Sequence, residues 1–284
     1  MLQTEKFLTK ENVGMKPELV FCDVDGTLIN AEHVILDDTK KAVKALTRKG
    51  VPFVIATGRT PFGVLPLMQE LEIDSPFISS NGGYVGDCRA KPLAQTGFDL
   101  PTAQKIRQAA RDFVPEVECA AYCGEKWVVE HPDSPAALWE YNLVKVKPSK
   151  GMPEDYIEKD GVVQKWMFVD PKDKMPALAE HLKKLFPDFI VFISNENMLE
   201  VLPDGVSKAW GANEVCRLLN IDPKKTMVFG DGVNDIGLFE FSGLSVAMGN
   251  APKTVRQKAS LVTTSCNENG IARILDEIFD LNLF

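Results

Sequence analysis

Asp23 and Asp25 stand two residues apart at the end of the apolar run Leu19-Val20-Phe21-Cys22, and Gly26-Thr27 then turn the chain. An unbroken apolar run of that length suits a buried strand, and open α/β sheets gather their ligands at the carboxyl ends of such strands. Three further segments place polar groups comparably: Thr57-Gly58, Ser207-Lys208, and Gly230-Asp231-Gly232-Val233-Asn234-Asp235. Brought to one sheet edge, they assemble four carboxylates, an ammonium and a hydroxyl. Carboxylates so close raise one another's pKa and cannot all stay ionised unaided. A divalent cation resolves the conflict, and hard oxygen ligands that leave room for water and substrate phosphate suit Mg²⁺.

Lys208, one residue after the N-cap candidate Ser207, and Thr57-Gly58, just before a helix, would surround an anion with an ammonium, a hydroxyl and free backbone N–H groups. A cation flanked by anion donors describes a phosphoryl site. A carboxylate set for in-line attack, with a second two residues away to move the proton, completes nucleophilic catalysis through an acyl phosphate. Each piece alone has a plainer reading. A D-x-D after a strand can be a solvated turn, Thr-Gly a loop, a lone lysine at a helix start a surface residue, and Asp231 and Asp235 helix-start acids favoured by the dipole. Their conjunction, in order and each at a strand end or helix start, favours the chemistry.

The elements that must position these groups are legible from periodicity. After Leu19–Cys22, Asp37 and Asp38 are N-cap candidates for a helix through Lys49 with Val43 and Leu46 inward and Gly50 ending it. Val51–Ala56 reads as a strand, Thr60-Pro61 opens a helix carrying Leu65, Met68 and Leu71, and Pro76–Ser80 reads as a third strand. The alternation returns near the other end, with strands at Thr226–Gly230, Leu244–Met248 and Leu261–Thr264 and helices at Val233–Phe241, Pro252–Ala259 and Asn267–Phe279. This is the pattern of a parallel sheet with right-handed crossovers.

Between residues 84 and 196 the texture changes. Helices near 101–114, 135–144 and 173–186 mix with strands at Glu125–Glu130 and Val162–Asp170, which implies an antiparallel or mixed sheet. The expected organisation is an N-terminal extension over 1–16, a core domain over 17–83 and 197–284, and an inserted domain over 84–196. Hinges are expected near Asn81-Gly82-Gly83 and Asn195–Asn197.

Bulk properties exclude several classes. With 284 residues, 45% hydrophobic and 25% charged, the chain has the composition of an ordinary globular protein with room for two domains. A formal net charge of -8 gives no global reason to bind nucleic acid or an anionic membrane. No apolar stretch reaches the roughly 18 residues of a membrane span, and the polar start has no signal-peptide core. The expectation is a cytosolic protein. Six cysteines show no metal or redox spacing; Cys119 and Cys123 have three residues between them, and buried reduced thiols are expected.

With these residues in view, the sequence resembles a known family. DVDGT, ATGR, the Ser-Lys at a helix start and GDGVND are similar to the four motifs of the haloacid dehalogenase superfamily, and the size and insert resemble its Cof-type phosphatases with a C2 cap. The resemblance runs from Glu18 onward and implies a Rossmann-like parallel-sheet core with an inserted α+β cap. Carried over, Asp23 would be the nucleophile and Asp25 the general acid, then base. Thr57, Gly58 and Lys208 would bind the phosphoryl oxygens, and Asn234 would touch the phosphate or fix its own loop. Mg²⁺ would be held by Asp23, the Asp25 carbonyl and Asp231, with Asp235 in support.

The implied activity is a phosphatase for small phosphorylated metabolites such as sugar phosphates, its cap closing over the site and reading the leaving group. A phosphomutase is the alternative within the superfamily, and a non-catalytic phosphate-binding protein the alternative outside enzymes. A mutase needs a second anion site; Arg89, Arg107 and Arg111 are the only arginines of the insert and form no evident one. Tyr122, Trp127, Trp139, Tyr141, Trp166 and His131 read as cap packing or pocket, Arg59 as a site contact or a helix-surface residue, and Lys145, Lys147 and Lys150 as a solvated basic run. Monomer and homodimer stay equally open.

Overall fold

The computed structural model of the chain describes residues 16–144, 146–157, 161–170 and 174–284. The expected N-terminal extension, through residue 15, and Lys145 of the basic run lie outside the described residues. In chain order the elements are β1 (Leu19–Cys22), α1 (Asp37–Arg48), β2 (Phe53–Ile55), α2 (Pro61–Leu71), β3 (Phe77–Ser79) and β4 (Tyr84–Gly86). There follow β5 (Pro92–Gln95), α3 (Leu100–Phe113), β6 (Glu118–Cys123), β7 (Lys126–Val129), α4 (Pro135–Val144), β8 (Ser149–Lys150), β9 (Lys165–Val169), α5 (Met175–Leu185), β10 (Ile190–Asn195) and β11 (Met198–Leu202). The chain ends with α6 (Lys208–Leu219), β12 (Thr226–Gly230), α7 (Ile236–Phe241), β13 (Leu244–Ala247), α8 (Lys253–Arg256), β14 (Leu261–Val262) and α9 (Gly270–Phe279).

Two compact units result. The first takes the described chain up to Gly58, Val64–Lys91 and Ser207–Phe284; the second takes Arg59–Gly63 and Pro92–Val206. In the first, a sheet of order β14-β13-β12-β1-β2 is parallel throughout. β1 lies inside the sheet, between β12 and β2, and all four of its side chains are apolar and bury completely, Leu19, Val20 and Phe21 each contributing about 1.5–3 kcal/mol. α1 and α9 lay Ala42, Val43, Leu46, Ile271, Ile274 and Leu275 into the same core as Val20 and Phe53.

The second unit carries a mixed sheet of order β10-β11-β9-β6-β7-β8, antiparallel except for the β7–β8 pair. Alternation along its strands separates two cores. Ala121, Trp166 and Phe168 face α3 and α5 with Ile106, Ala110, Leu178 and Leu182, whereas Ala120, Tyr122, Trp127 and Met167 pack with Ala137 and Tyr141 of α4. Trp127 and Trp166 are thus packing residues; each indole N–H donates to a carbonyl, of Val146 at 3.0 Å and of Ala103 at 3.1 Å. Trp139 is 51% exposed. On the α4 side a polar group is buried too: Lys165 pairs with Glu200 at 2.9 Å and lies 4.3 Å from the Tyr122 ring centre, and the Tyr122 hydroxyl donates to Glu140 at 3.0 Å.

Several expectations are corrected. Tyr84–Gly86 pairs with Phe77–Ser79, and Met198–Leu202 with β9 and β10, so the units divide at 91/92 and 206/207 rather than 83/84 and 196/197. Asn195–Asn197, expected as a hinge, is the tight turn between β10 and β11. β3 is not a full strand of the parallel sheet: it pairs antiparallel with β4 and meets the strand before it only through the Ala56–Ile78 bridge. Leu36, not Asp37 or Asp38, caps α1; the two acids occupy its first turn. The helix expected over Val233–Phe241 begins as a 3₁₀ turn, Val233–Asp235, before α7.

Candidate active site

β1 and β12 are adjacent and parallel, with Cys22 opposite Phe229, so Asp23 and Asp231 emerge from the same edge of the sheet. The Asp23 backbone is fixed on both sides: its N–H donates to Phe229 O at 3.0 Å, and its carbonyl accepts from Leu28 N–H at 3.2 Å. α6 begins at the same edge, capped by Ser207, whose hydroxyl accepts from Trp210 N–H at 3.2 Å. That start delivers Lys208 into the interior, 1% exposed.

The Lys208 ammonium donates to Asp23 Oδ1 at 2.5 Å and to Asp235 Oδ1 at 2.6 Å. The other oxygen of Asp235 accepts the backbone N–H groups of Asp231 at 3.0 Å and Gly232 at 2.8 Å. Asp235 is therefore occupied at both oxygens and braces the loop. Asp231 accepts from the buried Thr27 hydroxyl at 2.9 Å and from Asn250 Nδ2 at 3.3 Å. Asn250 also donates to Gly26 O at 2.8 Å and accepts from Cys266 N–H at 3.0 Å. Gly26 turns at φ +80°, and a Cβ there would stand 2.4 Å from Asp231 Oδ2, so the turn and the close approach both require glycine.

Asp23, Asp231 and Asp235 each offer an oxygen within 4.8 Å of the others. One ammonium serves three carboxylates, and the site is short of positive charge. The electrostatics carry the same sign: burial pushes Asp23 up from 3.8 to about 8, against the pull of Lys208 and with the help of Asp235 and Asp231. Burial also raises Asp231, partly offset by the Thr27 hydroxyl. Lys208 is held above its ordinary range: burial disfavours the ammonium, but Asp23 and Asp235 more than compensate. An all-oxygen donor set with a charge deficit fits a hard divalent cation.

The remaining expected residues fall around this group. Asp25 is exposed, two residues beyond Asp23, and belongs to the turn closed by the Asp25–Ile29 bridge rather than to the carboxylate cluster. Thr57 is buried; its N–H donates to Ile78 O at 2.9 Å and its carbonyl accepts from Asn81 N–H at 3.1 Å. Gly58 lies against the Asn81 carboxamide, and Asn234, exposed, donates to Asn81 Oδ1 at 3.4 Å. Thr27, Asn81 and Asn250 were not singled out by the sequence as site residues. Asn250 follows β13 by three residues, so the rule that polar groups after strand ends gather at the site could have found it.

The inserted unit has its own polar pairs. Arg107 reaches Glu154 at 2.8 Å, and Arg111 pairs with Glu130. No helix among the described residues is long and apolar enough to cross a membrane.

Comparison with known proteins agrees with this geometry. A family profile described as haloacid dehalogenase-like hydrolase matches residues 20–275. The Bacillus subtilis protein YkrA is 32% identical over 274 residues, covering 93% of this chain and 98% of YkrA. A haloacid dehalogenase-like hydrolase from Bacteroides thetaiotaomicron has a crystal structure that superposes with a TM-score of 0.83 at 26% identity, over 93% of this chain and 100% of that one. A sugar phosphatase of HAD subclass IIB superposes with a TM-score of 0.76 at 26% identity, over 93% and 99% of the two chains.

Proposed function

The chain belongs to the haloacid dehalogenase-like hydrolases, and from that premise we propose that it is a Mg²⁺-dependent phosphatase that hydrolyses small phosphorylated metabolites, sugar phosphates first among them, through an aspartyl-phosphate on Asp23. One observation carries the reading: Lys208 bridges Asp23 and Asp235 in a buried group that also includes Asp231 and is short of positive charge. The similarity to a sugar phosphatase supports the substrate class.

In this mechanism Lys208 fixes Asp23 Oδ1, which aims the carboxylate at phosphorus and keeps it from rotating away. Asp23 attacks in line; the P–O bond to the leaving group breaks as the new P–O bond forms. Asp25, exposed and two residues on, donates the proton to the leaving oxygen, then takes one from the water that hydrolyses the acyl phosphate. Asp23, Asp231 and the Asp25 carbonyl would hold Mg²⁺, which when bound supplies positive charge to the phosphoryl oxygens. Asp235, engaged at both oxygens, acts in support. Thr57, Gly58 and Asn234 receive the phosphoryl oxygens.

The mutase alternative is the weaker one, because Arg107 and Arg111 are paired with Glu154 and Glu130. All six cysteines are free, which supports a reducing compartment and a cytoplasmic reaction.

The test is release of inorganic phosphate from a panel of phosphorylated metabolites, with and without Mg²⁺, beside Asp23→Asn. Release that requires both Mg²⁺ and Asp23 is expected, with sugar phosphates giving the highest kcat/KM. No release from any ester by folded protein would overturn the proposal.

A further inference from the structure

One strand of the inserted unit differs from its neighbours where a difference is least expected. β10 ends the mixed sheet, and among the described residues it pairs with β11 alone. The outer row of backbone N–H and C=O groups of such a strand is a template for another strand. Sheets guard their edges with charge, proline or brevity. β6, β7, β8, β9 and β11 each carry a charged residue, Glu118, Lys126, Lys150, Lys165 and Glu200, and β8, at the opposite edge, is two residues long. β10 is six residues long, reads Ile-Val-Phe-Ile-Ser-Asn, and carries no charge.

Its side chains point the same way. Val191 is buried in the core that α5 shares with the sheet, but Ile190, Phe192 and Ile193 are 38%, 37% and 42% exposed. Leu185, where α5 ends, is exposed as well. Single exposed apolar residues are ordinary, whereas a run of them on one uncharged edge marks an interaction surface. Ile190 and Phe192 lie on one face of the strand and Ile193 on the other, with Val191. A strand laid along this edge therefore covers apolar groups on both faces of the sheet. The register shifts between Ile193 and Asn195, which confines regular pairing to Ile190–Ile193.

We infer that β10 is a dimerisation edge: two copies of this chain pair antiparallel through Ile190–Ile193, about a two-fold axis normal to the sheet, and their mixed sheets become one continuous sheet. Two features select a second copy over an unrelated strand. The segment is self-complementary, because an uncharged strand can lie against itself with no like charges directly opposite. Its flanks differ in sign: Lys183 and Lys184 close α5 before the strand, and Glu196 stands in the turn after it, all three exposed. Antiparallel pairing sets the lysine end of each copy against the Glu196 end of the other. Lys183 is engaged with Glu180 at 3.1 Å, so Lys184 serves that contact, with Asp188, between it and the strand, as the opposing charge.

The test is sedimentation equilibrium of the full chain between about 1 and 100 µM, with amide hydrogen exchange of the β10 segment at both ends of that range. Wild type is compared with Phe192→Lys, Ile193→Lys and, as a control on another exposed apolar surface, Trp139→Lys of α4. Wild type and Trp139→Lys are expected to approach twice the chain mass of 31.4 kDa at the upper concentration. The outward amides of β10 are expected to exchange about tenfold more slowly there than at the lower concentration. Phe192→Lys and Ile193→Lys are expected to keep the single-chain mass and the wild-type melting temperature, since each sets a charge against its own copy. A wild type of single-chain mass throughout would overturn the proposal, as would a dimer that survives both lysines or one that Trp139→Lys breaks. A mass that climbs beyond two chains overturns it too, because a two-fold edge closes on one partner. Should a lysine variant fail to fold, exchange in wild type decides: a dimer that leaves the β10 amides as fast as in the single chain is not paired through this strand.

Discussion

The Lys208 ammonium and Asp23 Oδ1 lie 2.5 Å apart across 185 residues of sequence, both inside the protein. The pair is not self-sufficient, since the same ammonium also holds Asp235 at 2.6 Å. Lys208→Met therefore strands two buried carboxylates. Such a removal costs about 3–5 kcal/mol when the stranded group stays charged. Without the pull of Lys208, Asp23 rises further in pKa and escapes by taking up a proton, so the deficit in urea unfolding is expected to be larger at pH 8 than at pH 5. Phosphate release is expected to fall about 10³-fold or more.

Asp23 itself gives a pH dependence whose sign is fixed. Burial raises it from 3.8 to about 8. Between those values the folded cation-free protein holds a proton that the unfolded chain has lost, so stability falls as pH rises across the window. In EDTA the melting temperature is expected to drop from pH 4 to 8 relative to the same protein in saturating Mg²⁺. At pH 7 Mg²⁺ binding is expected to release a proton, read by calorimetry in two buffers of different ionisation enthalpy. Parallel melting curves with and without the cation would contradict this.

Thr27 and Asn250 hold Asp231 in place, at 2.9 Å and 3.3 Å. Thr27→Val keeps the shape of a residue that is 1% exposed and removes only the donor. Loss of such a supporting bond typically weakens metal affinity by about 10–100-fold. Thr27→Val is expected to shift the Mg²⁺ concentration for half-maximal activity by about tenfold, and Asn250→Ala by less, its bond being longer and exposed. An unchanged Mg²⁺ requirement in both variants would remove Asp231 from the cation site.

In the inserted unit the Lys165–Glu200 pair, 2.9 Å apart, has side chains only 5% and 10% exposed. Lys165→Met alone is expected to destabilise by about 3–5 kcal/mol, whereas Lys165→Met with Glu200→Leu is expected to recover most of the loss. Urea unfolding followed by tryptophan fluorescence distinguishes the two, since Trp127 and Trp166 are buried in this unit. A double variant as unstable as the single one would show that the pair, and not the stranded charge, sets the energy.

The sequence made some of this legible and some not, for physical reasons. β1 and β12 are apolar runs that bury every side chain, and periodicity finds such strands readily. The polar segments that end them or start the next helix, Asp23, Lys208, Asp231 and Asp235, come together as their positions suggested. β6 escaped notice because Glu-Cys-Ala-Ala-Tyr-Cys lacks β-branched residues and owes its strand to β7 and β9 on either side. Asn195–Asn197 signals a turn, but only the distant partner β9 makes it a hairpin within a sheet and not a hinge. The contacts of Thr27 with Asp231 and of Asn250 with Gly26 span more than 200 residues each and have no local signature.

The placement of β1 between β2 and β12 also sets a timetable for synthesis. Asp23 leaves the ribosome 185 residues before Lys208, and at about 5–20 residues per second that is a wait of roughly ten to forty seconds. Through that interval the strand carrying Asp23 can pair with β2 alone, while the inserted unit, whose mixed sheet is drawn from one continuous stretch of chain, gains every strand it needs. The nascent chain is thus expected to finish its second unit before its first. A fully apolar strand held half-paired meanwhile makes the emerging polypeptide a client for chaperones that shield exposed sheet edges.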